Sequence, residues 1–227
     1  MTHPAARLPA DPAGLRLHYA YESAPLAGPH ARTVEPWTVS IRHHDPKHST
    51  GEQGVQVGRM VFYRVRLTQG RNAHAALVDE SEDLVELADA VLDPVTGYFT
   101  GEVGDRLLYA GTDLLVMDEV RLDPAWRGAA LGPVLAAEAI SRLVPGCRAV
   151  ACTSGLRPDP GWTPDAQEWD RAARKVTAGW ERIGFVRLRK ETFLLDPAAE
   201  AFEQQRELLE EAFARLCRAF QDARPPR

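Results

Sequence analysis

Residues with the chemistry of a catalytic or anion-binding site are concentrated between Leu114 and Gly132. The first part of this segment is the strongest strand pattern in the chain, and it carries two adjacent acids, Asp118 and Glu119. A short loop follows, and a helix is predicted from about Leu131. The helix entrance is made of small residues: Gly128, Ala129, Ala130 and Gly132. Because free amides and the helix dipole attract anions at a helix N-terminus, the segment predicts a phosphate site beside two carboxylates. The same small residues also occur where a helix only needs to pack closely on a strand.

The alternation of a regular strand makes Asp118 the first candidate for a general base. One face of such a strand would carry Leu114, Val116, Asp118, Val120 and Leu122. A carboxylate in the middle of an apolar face loses hydration, which makes it a stronger base. The alternative is structural, with Asp118 serving as an ion-pair partner for an arginine such as Arg121 or Arg106.

The loop and its flanks resemble the signature of the GNAT superfamily of N-acetyltransferases. The family loop reads Arg/Gln-x-x-Gly-x-Gly/Ala and binds the pyrophosphate of acetyl-CoA. The matching positions here are Val120, Leu122, Pro124, Arg127, Gly128, Leu131 and Gly132, with Ala130 in place of the middle glycine. A second landmark, Trp180 followed by Gly184-Phe185, resembles the family's Tyr-x-x-x-Gly-Phe. The resemblance spans about residues 37–195 and is concentrated in 114–185.

This resemblance implies acetyl-CoA as co-substrate and a set of residues that hold it. Backbone groups near Val120 to Leu122 would pair with the pantetheine arm like an added strand, and a main-chain N–H there would polarise the thioester carbonyl. The implied cofactor-binding residues are Val120, Arg121, Leu122, Arg127, Gly128, Ala129, Ala130, Leu131, Gly132 and Trp180.

The chain departs from the family at the positions that carry chemistry. The family glutamate commonly lies two residues before Asp118, where this chain has Val116. Family members also often have a bulge in this strand, which would turn Glu119 inward and make it the second candidate base. Trp180 replaces a tyrosine proposed to protonate the departing thiolate, and indole cannot act as that acid. Ala173 stands where an asparagine is usual, and the neighbouring Arg174 and Lys175 could contact CoA phosphates or simply face solvent.

The elements that must position these residues follow from periodicity and turn signals. Strands are predicted at Leu15–Tyr21, 37–43, 55–67, 107–109, 114–122 and 148–153, and as a pair or one long strand at 185–195. Helices are predicted from the acidic cap at 79–82 to Asp93, at 131–144, from a Thr163 cap to about 182, and at 197–221. Alternation of strand and helix in the second half implies a mainly parallel core. The resemblance implies an α/β fold with a mixed, antiparallel-to-parallel central sheet flanked by helices and an extra C-terminal helix.

Three regions are expected: an irregular N-terminal arm at 1–34, an acyl-CoA-binding domain at 35–196 and an amphipathic C-terminal helix at 197–227. One stripe of this helix is apolar, and its other face is rich in glutamate. The stripe consists of Phe202, Leu209, Phe213, Leu216 and Phe220. It could pack on its own sheet or on a second copy of the chain, and we expect the homodimer contact because the domain core is complete without it.

Composition excludes several classes of protein. The 227 residues are 44% hydrophobic and carry a net charge of −5, which is unlike a nucleic-acid-binding protein. No window approaches the roughly 18 apolar residues of a membrane span. The N-terminal 20 residues lack a secretion signal, so we expect a cytoplasmic protein. Three cysteines are too few for a disulfide framework, and no metal is expected, because a loop with His43, His44, Asp45 and His48 is more typical of an exposed segment or an acceptor pocket.

These observations lead to one hypothesis about function and two alternatives. The hypothesis is an acetyl-CoA-dependent N-acetyltransferase that moves the acetyl group directly to a primary amine of a small molecule or protein. The alternatives are a non-catalytic acyl-CoA-binding module and a regulatory dimer with the same fold.

Overall fold

Seven strands form one mixed, open sheet in an α/β fold. The computed structural model describes residues 7–23, 28–30, 32–44, 54–108, 111–154 and 164–223. The strands are β1 (Leu15–Tyr21), β2 (Val34–His43), β3 (Val55–Val65), β4 (Asp113–Leu122), β5 (Cys147–Thr153), β6 (Val186–Arg189) and β7 (Thr192–Leu195). Their order in the sheet is β1-β2-β3-β4-β5-β7-β6.

Helices cover both faces of this sheet. They are α1 (Ala73–Glu80), α2 (Val85–Val91), the single turn α3 (Gly101–Gly104), α4 (Leu131–Leu143), α5 (Ala166–Glu181) and α6 (Glu200–Ala223). None of the described helices is both long enough and apolar enough to cross a membrane.

The prediction of a mainly parallel core is wrong. Only β4 and β5 are parallel neighbours, and every other described pair is antiparallel. The sequence alternation suggested parallel strands because α4 and α5 each follow a strand and precede another. After α5, however, β7 folds back between β5 and β6, so the strand that follows the helix lies at the edge rather than beside β5. The connection through α4 is therefore the one that joins parallel neighbours.

Several predicted elements differ at their ends. The strand predicted at Leu15–Tyr21 is β1, so this part of the expected arm pairs with β2 along its whole length. The helix predicted from the acidic cap at 79–82 to Asp93 is a 3-10 turn, capped by Ser81, that leads into α2, and α1 precedes it as a helix that the sequence did not predict. The predicted Thr163 cap lies outside the described residues, and Asp165 caps α5 in a reciprocal capping box with Glu168.

The strand predicted at 107–109 is absent from the described part of that segment. Leu107 and Leu108 are not in a strand, and the amide of Leu108 donates instead to the Asp196 carboxylate at 2.7 Å. Tyr109 lies outside the described residues. The bond to Asp196 ties this segment to the chain just after β7.

Two hydrophobic cores separate the two faces of the sheet. The face that we call the α4 face packs against α4, α5 and α6 and includes Leu115, Met117 and Phe193. The opposite face, the α2 face, packs against α1 and α2 and includes Leu114 and Val116. Consecutive residues of β4 therefore enter different cores, as the period of a strand requires.

The apolar stripe of α6 packs on the chain's own core. Phe202, Leu209 and Phe220 are buried in the α4-face core, and Phe213 and Leu216 are partly buried against it. The helix lies against α4 and against the 3-10 turn at Pro12–Gly14. Most of the stripe that suggested a dimer contact is therefore covered within one chain, and the homodimer stays a prediction.

We expect Leu209→Ala to lower the free energy of unfolding by about 2–3 kcal/mol, because it removes buried methyl groups from the α6 contact. Leu209 is 3% exposed, whereas the adjacent Leu208 is 53% exposed. Leu208→Ala is thus a matched control, with an expected change within about 0.5 kcal/mol. Urea denaturation of both variants measures the difference. Equal effects at the two positions would mean that α6 does not pack in this orientation.

Candidate functional site

A bulge in β4 lies at the two candidate acids. β3 and β4 pair regularly from Gly58↔Leu122 to Val61↔Glu119, and the next pair is Phe62↔Met117. Asp118 is therefore an extra residue with no counterpart on β3. The bulge on which the second candidate base depended is present, and it lies at Asp118.

The bulge changes which side chains share a face. Met117 lies in the α4-face core and Val120 packs against the same core, although three positions separate them. Leu114 and Val116 lie on the opposite face. The expected continuous face from Leu114 to Leu122 is thus wrong, because the extra residue shifts the alternation after Met117.

Glu119 is held on the α2 face by an ion pair with Arg59. An Arg59 Nη2–H donates to Glu119 Oε2 at 2.7 Å. The side chain of Glu119 is 12% accessible and that of Arg59 is 51% accessible. The carboxylate is therefore largely shielded from water but oriented by a cation at the surface, and Arg59 was not identified from the sequence.

Asp118 is half-buried at the bulge. Of the two arginines considered as its structural partners, one forms an ion pair outside β4 and the other belongs to β4 itself. Arg106 donates to Glu102 at 2.9 Å, one turn earlier in the same segment, and Arg121 is an exposed residue of β4.

β4 and β5 separate immediately beside the bulge. Their parallel pairing runs from Asp113↔Cys147 to Met117↔Cys152 and stops there. β4 continues to Leu122 along β3, while β5 continues to Thr153 along β7. Among the described residues, no strand pairs with Asp118 to Leu122 on the β5 side, so this edge of β4 can accept an added strand.

The loop after β4 presents main-chain amides without protein acceptors. A 3-10 turn at Pro124–Trp126 occupies two amides, those of Trp126 and Arg127, which donate to the carbonyls of Asp123 and Pro124. The next three amides, those of Gly128, Ala129 and Ala130, donate to no acceptor in the described part of the chain. Among the described residues, the amides without an acceptor thus begin at Gly128, the first of the small residues at the helix entrance.

Backbone conformation sets the shape of this loop. Gly128 has φ +86° and Ala130 has φ +57°, so both are left-handed. Left-handed backbone suits glycine and costs an alanine about 1–2 kcal/mol. Glycine would adopt this conformation without strain at position 130, where this chain has an alanine.

The N-terminus of α4 is open to a ligand. Ala130 occupies the cap position and provides no side-chain hydrogen bond, and the first turn contains Pro133. A Cβ built on either Gly128 or Gly132 would meet no atom of the described part of the chain within 4 Å. Arg127 braces the loop, because its Nε–H donates to the Leu122 carbonyl at 2.7 Å, and its side chain is exposed. Main-chain amides at the start of a helix, together with the helix dipole, are the groups that bind anions at such positions in proteins.

Trp180 lies in the core at the end of α5. Its side chain is buried on the α4 face, and its indole N–H is buried with no hydrogen-bond partner among the described residues. A Cβ on the preceding residue, Gly179, would lie 3.2 Å from the Pro133 side chain, so the end of α5 contacts the start of α4. Trp180 therefore belongs to the same core as Trp126 and Leu131, which lie on either side of the small residues of the loop. Direct contact with a cofactor remains an expectation.

Of the two α5 residues suggested as cationic contacts, Arg174 lines a cleft and Lys175 does not. Ala173 and Arg174 line a cleft of about 460 Å³ between α5 and the β6–β7 hairpin, together with Arg187 and Glu191. Lys175 does not line it.

His43 positions the loop from the other side. Its Nε2 lies 2.9 Å from the Asp11 carbonyl oxygen, and its ring centroid is 5.2 Å from that of Trp126. The sequence suggested an acceptor contact or an exposed loop for this histidine, and neither pattern nor spacing indicated its packing on Trp126. Asp45 and His48 lie outside the described residues.

Comparison with known proteins identifies no relative: no family model, no curated protein and no solved structure matches this chain. The assignment of function therefore depends on the geometry of β4, the loop and α4.

Proposed function

We propose that this chain is an acetyl-CoA-dependent N-acetyltransferase of the GNAT type, with a primary amine as acceptor. The observation that carries the proposal is the coincidence of two features at one point of β4. The bulge at Asp118 and the end of β4–β5 pairing at Met117 are adjacent, and the free amides of Gly128 to Ala130 follow in the same segment. An acid, an unpaired strand edge and free amides thus follow one another along the chain. The thioester, the pantetheine arm and the diphosphate of acetyl-CoA follow one another in the same order.

In this proposal, the loop after β4 and the open edge of β4 bind acetyl-CoA. The amides of Gly128, Ala129 and Ala130, with the start of α4, take the diphosphate. Main-chain groups of Val120 to Leu122 on the β5 side hydrogen-bond the pantetheine arm. Both contacts use backbone groups, so they tolerate the change from glycine to Ala130.

Glu119 is the general base that we favour, with Asp118 as the alternative. An amine attacks a thioester only as the neutral base, so an ammonium must first lose a proton. Arg59 keeps the Glu119 carboxylate oriented at 2.7 Å while leaving one oxygen, Oε1, for the proton. A main-chain N–H of β4 beyond the bulge stabilises the oxyanion, and water protonates the thiolate because Trp180 has no acidic proton to give.

A non-catalytic acyl-CoA-binding module is the second candidate. Val116, at the position of the usual family acid, is fully buried in the α2-face core, and Trp180 replaces the usual tyrosine. These two substitutions remove acid–base groups and leave the binding loop intact.

Calorimetric titration with acetyl-CoA, CoA and ATP tests the binding step. Acetyl-CoA and CoA should both bind, because they share the diphosphate and pantetheine arm, and ATP should bind more weakly because it lacks the arm. Release of CoA thiol with a panel of primary amines then separates the enzyme from the binding module. If neither acetyl-CoA nor CoA gives a binding heat, both candidate functions, the enzyme and the binding module, are contradicted.

Replacement of Ala130 tests the loop conformation. We expect Ala130→Gly to raise the free energy of unfolding by up to about 1 kcal/mol, because glycine relieves the left-handed strain, and to preserve acetyl-CoA affinity. Ala130→Val should lower it by at least about 1 kcal/mol, because a β-branched residue fits this conformation worst. Chemical denaturation and titration of the two variants measure both effects. A less stable Ala130→Gly variant would show that φ at this position is negative.

A further inference from the structure

The two edges of the sheet are not equally protected against pairing with another strand. At one edge, β6 has only four residues, and its register with β7 shifts between Arg187 and Arg189. Short length, an irregular register and charged side chains are the features that keep an edge strand from accepting a further strand. β6 has all three, so it is a poor site for an added strand.

β1, at the other edge, is longer and regular. Its seven residues pair with β2 without a shift in register, none of them is a proline, and Arg16 is the one with a permanent charge. Among the described residues, no main-chain group from Leu17 to Tyr21 forms a hydrogen bond outside the pairing with β2. Alternate residues of β1 therefore direct their backbone donors and acceptors away from the sheet, where another strand would satisfy them.

On the α4 face, β1 is aliphatic in its first half and aromatic in its second. Leu15 is buried in the α4-face core, and Leu17 and Tyr19 pack against it. These three side chains also line a half-open cleft of about 620 Å³ between β1, α4 and α6. Tyr21 stacks on Trp37 with the ring centroids 5.3 Å apart, yet it is 42% exposed. The edge strand thus presents partly exposed aromatic surface, which is typical of protein interfaces.

This pattern is complementary to itself when β1 of a second copy runs antiparallel to it. All seven residues of both strands pair in one register, the one that places His18 opposite its own equivalent. Leu17 then lies opposite Tyr19, and Leu15 lies opposite Tyr21, so every tyrosine meets a leucine of the other strand on the α4 face. Apolar side chains that lie opposite each other stabilise a strand pair, and the apolar pattern of a half-buried face specifies its register.

We propose that the chain forms a symmetric homodimer in which two β1 strands pair antiparallel around His18 and join two seven-stranded sheets into one. The same surface is used by both copies, as a two-fold axis requires. β1 replaces the apolar stripe of α6 as the dimer contact, because most of that stripe is covered within one chain. The proposal is independent of acetyl transfer.

A charge at position 18 tests this register, because the two-fold axis brings residue 18 of one copy opposite residue 18 of the other. His18 is exposed, so its replacement should leave the fold of each copy intact. Analytical ultracentrifugation of the full chain should show twice the mass of one copy. His18→Arg and His18→Glu should each raise the dimer dissociation constant about fivefold or more, because like charges directly opposite each other repel. An equal mixture of the two variants should recover at least the wild-type affinity, because the arginine then faces the glutamate.

Arg16→Glu is the matched control for these variants. Arg16 is exposed on the same face of β1 as His18, but in the proposed register it lies opposite the partner's Ala20. This change should therefore leave the dissociation constant within about twofold of the wild-type value. A wild-type chain that stays monomeric, a dimer that ignores the charge at position 18, or a mixture that fails to recover affinity would overturn the proposal.

Discussion

Glu119→Gln should slow acetyl transfer at neutral pH by about 100-fold or more, while acetyl-CoA affinity stays within about twofold. The amide keeps the shape of the side chain and can still accept a hydrogen bond from Arg59, but it cannot take a proton from the ammonium. The measurement is the rate of CoA thiol release with the best acceptor from the amine panel, beside a calorimetric titration of acetyl-CoA.

The pH profile distinguishes a lost base from a disturbed fold. Without a base, the reaction depends on amine that is already neutral in solution, so the rate of Glu119→Gln should rise about tenfold per pH unit below the amine's pKa. A structural defect would not be rescued in this way.

Asp118→Asn is the matched control for this variant. If Asp118→Asn is slow and Glu119→Gln is not, the base is Asp118 and the bulge residue itself carries the chemistry. If neither substitution slows turnover, no carboxylate of β4 acts as the base, and water or the acceptor itself must remove the proton.

Gly132→Glu should weaken acetyl-CoA binding by about 100-fold without destabilising the fold. The position lies in the first turn of α4, and a side chain there enters open space. An acid at a helix N-terminus is favourable for the helix, but it would lie against the diphosphate and repel it. Calorimetry with acetyl-CoA and urea denaturation measure the two effects separately.

Gly132→Gln and Gly132→Ala separate charge from size. The glutamine has nearly the same volume without the charge, so it should weaken binding far less than the glutamate. The alanine should retain binding and raise stability by up to about 1 kcal/mol, because glycine is the weaker helix former. Tight acetyl-CoA binding by Gly132→Glu would place the diphosphate elsewhere and contradict the proposed use of this loop.

Local signals in the sequence predicted most of the elements that carry the candidate site. The apolar run at 114–122 predicted β4, and small residues before an amphipathic segment predicted the start of α4 at Leu131. These features depend on neighbours in the chain, so strand period, helix period and turn residues are enough to predict them.

Strand neighbours were harder to predict than strands. β5 and α5 were expected from their patterns, and 185–195 was expected as a strand pair or one long strand, but the place of β7 between β5 and β6 was not. A sequence pattern shows which residues face a core and does not show which strand lies alongside. The helix α1 was missed for a different reason, because its eight residues follow an Asn72 cap and give only a short apolar pattern.

By itself, then, the sequence determined a strand with two acids, a loop of small residues and a helix in direct succession, because each depends on local propensity. Only the tertiary structure decided that Glu119 shares a face with Val116 and binds Arg59, sixty positions away in the chain. That outcome depends on the register between β3 and β4, where one extra residue reverses the facing of every side chain beyond it. Likewise, the packing of α6 on its own core depended on whether α4 and β1 left an apolar face to cover, which no single segment encodes.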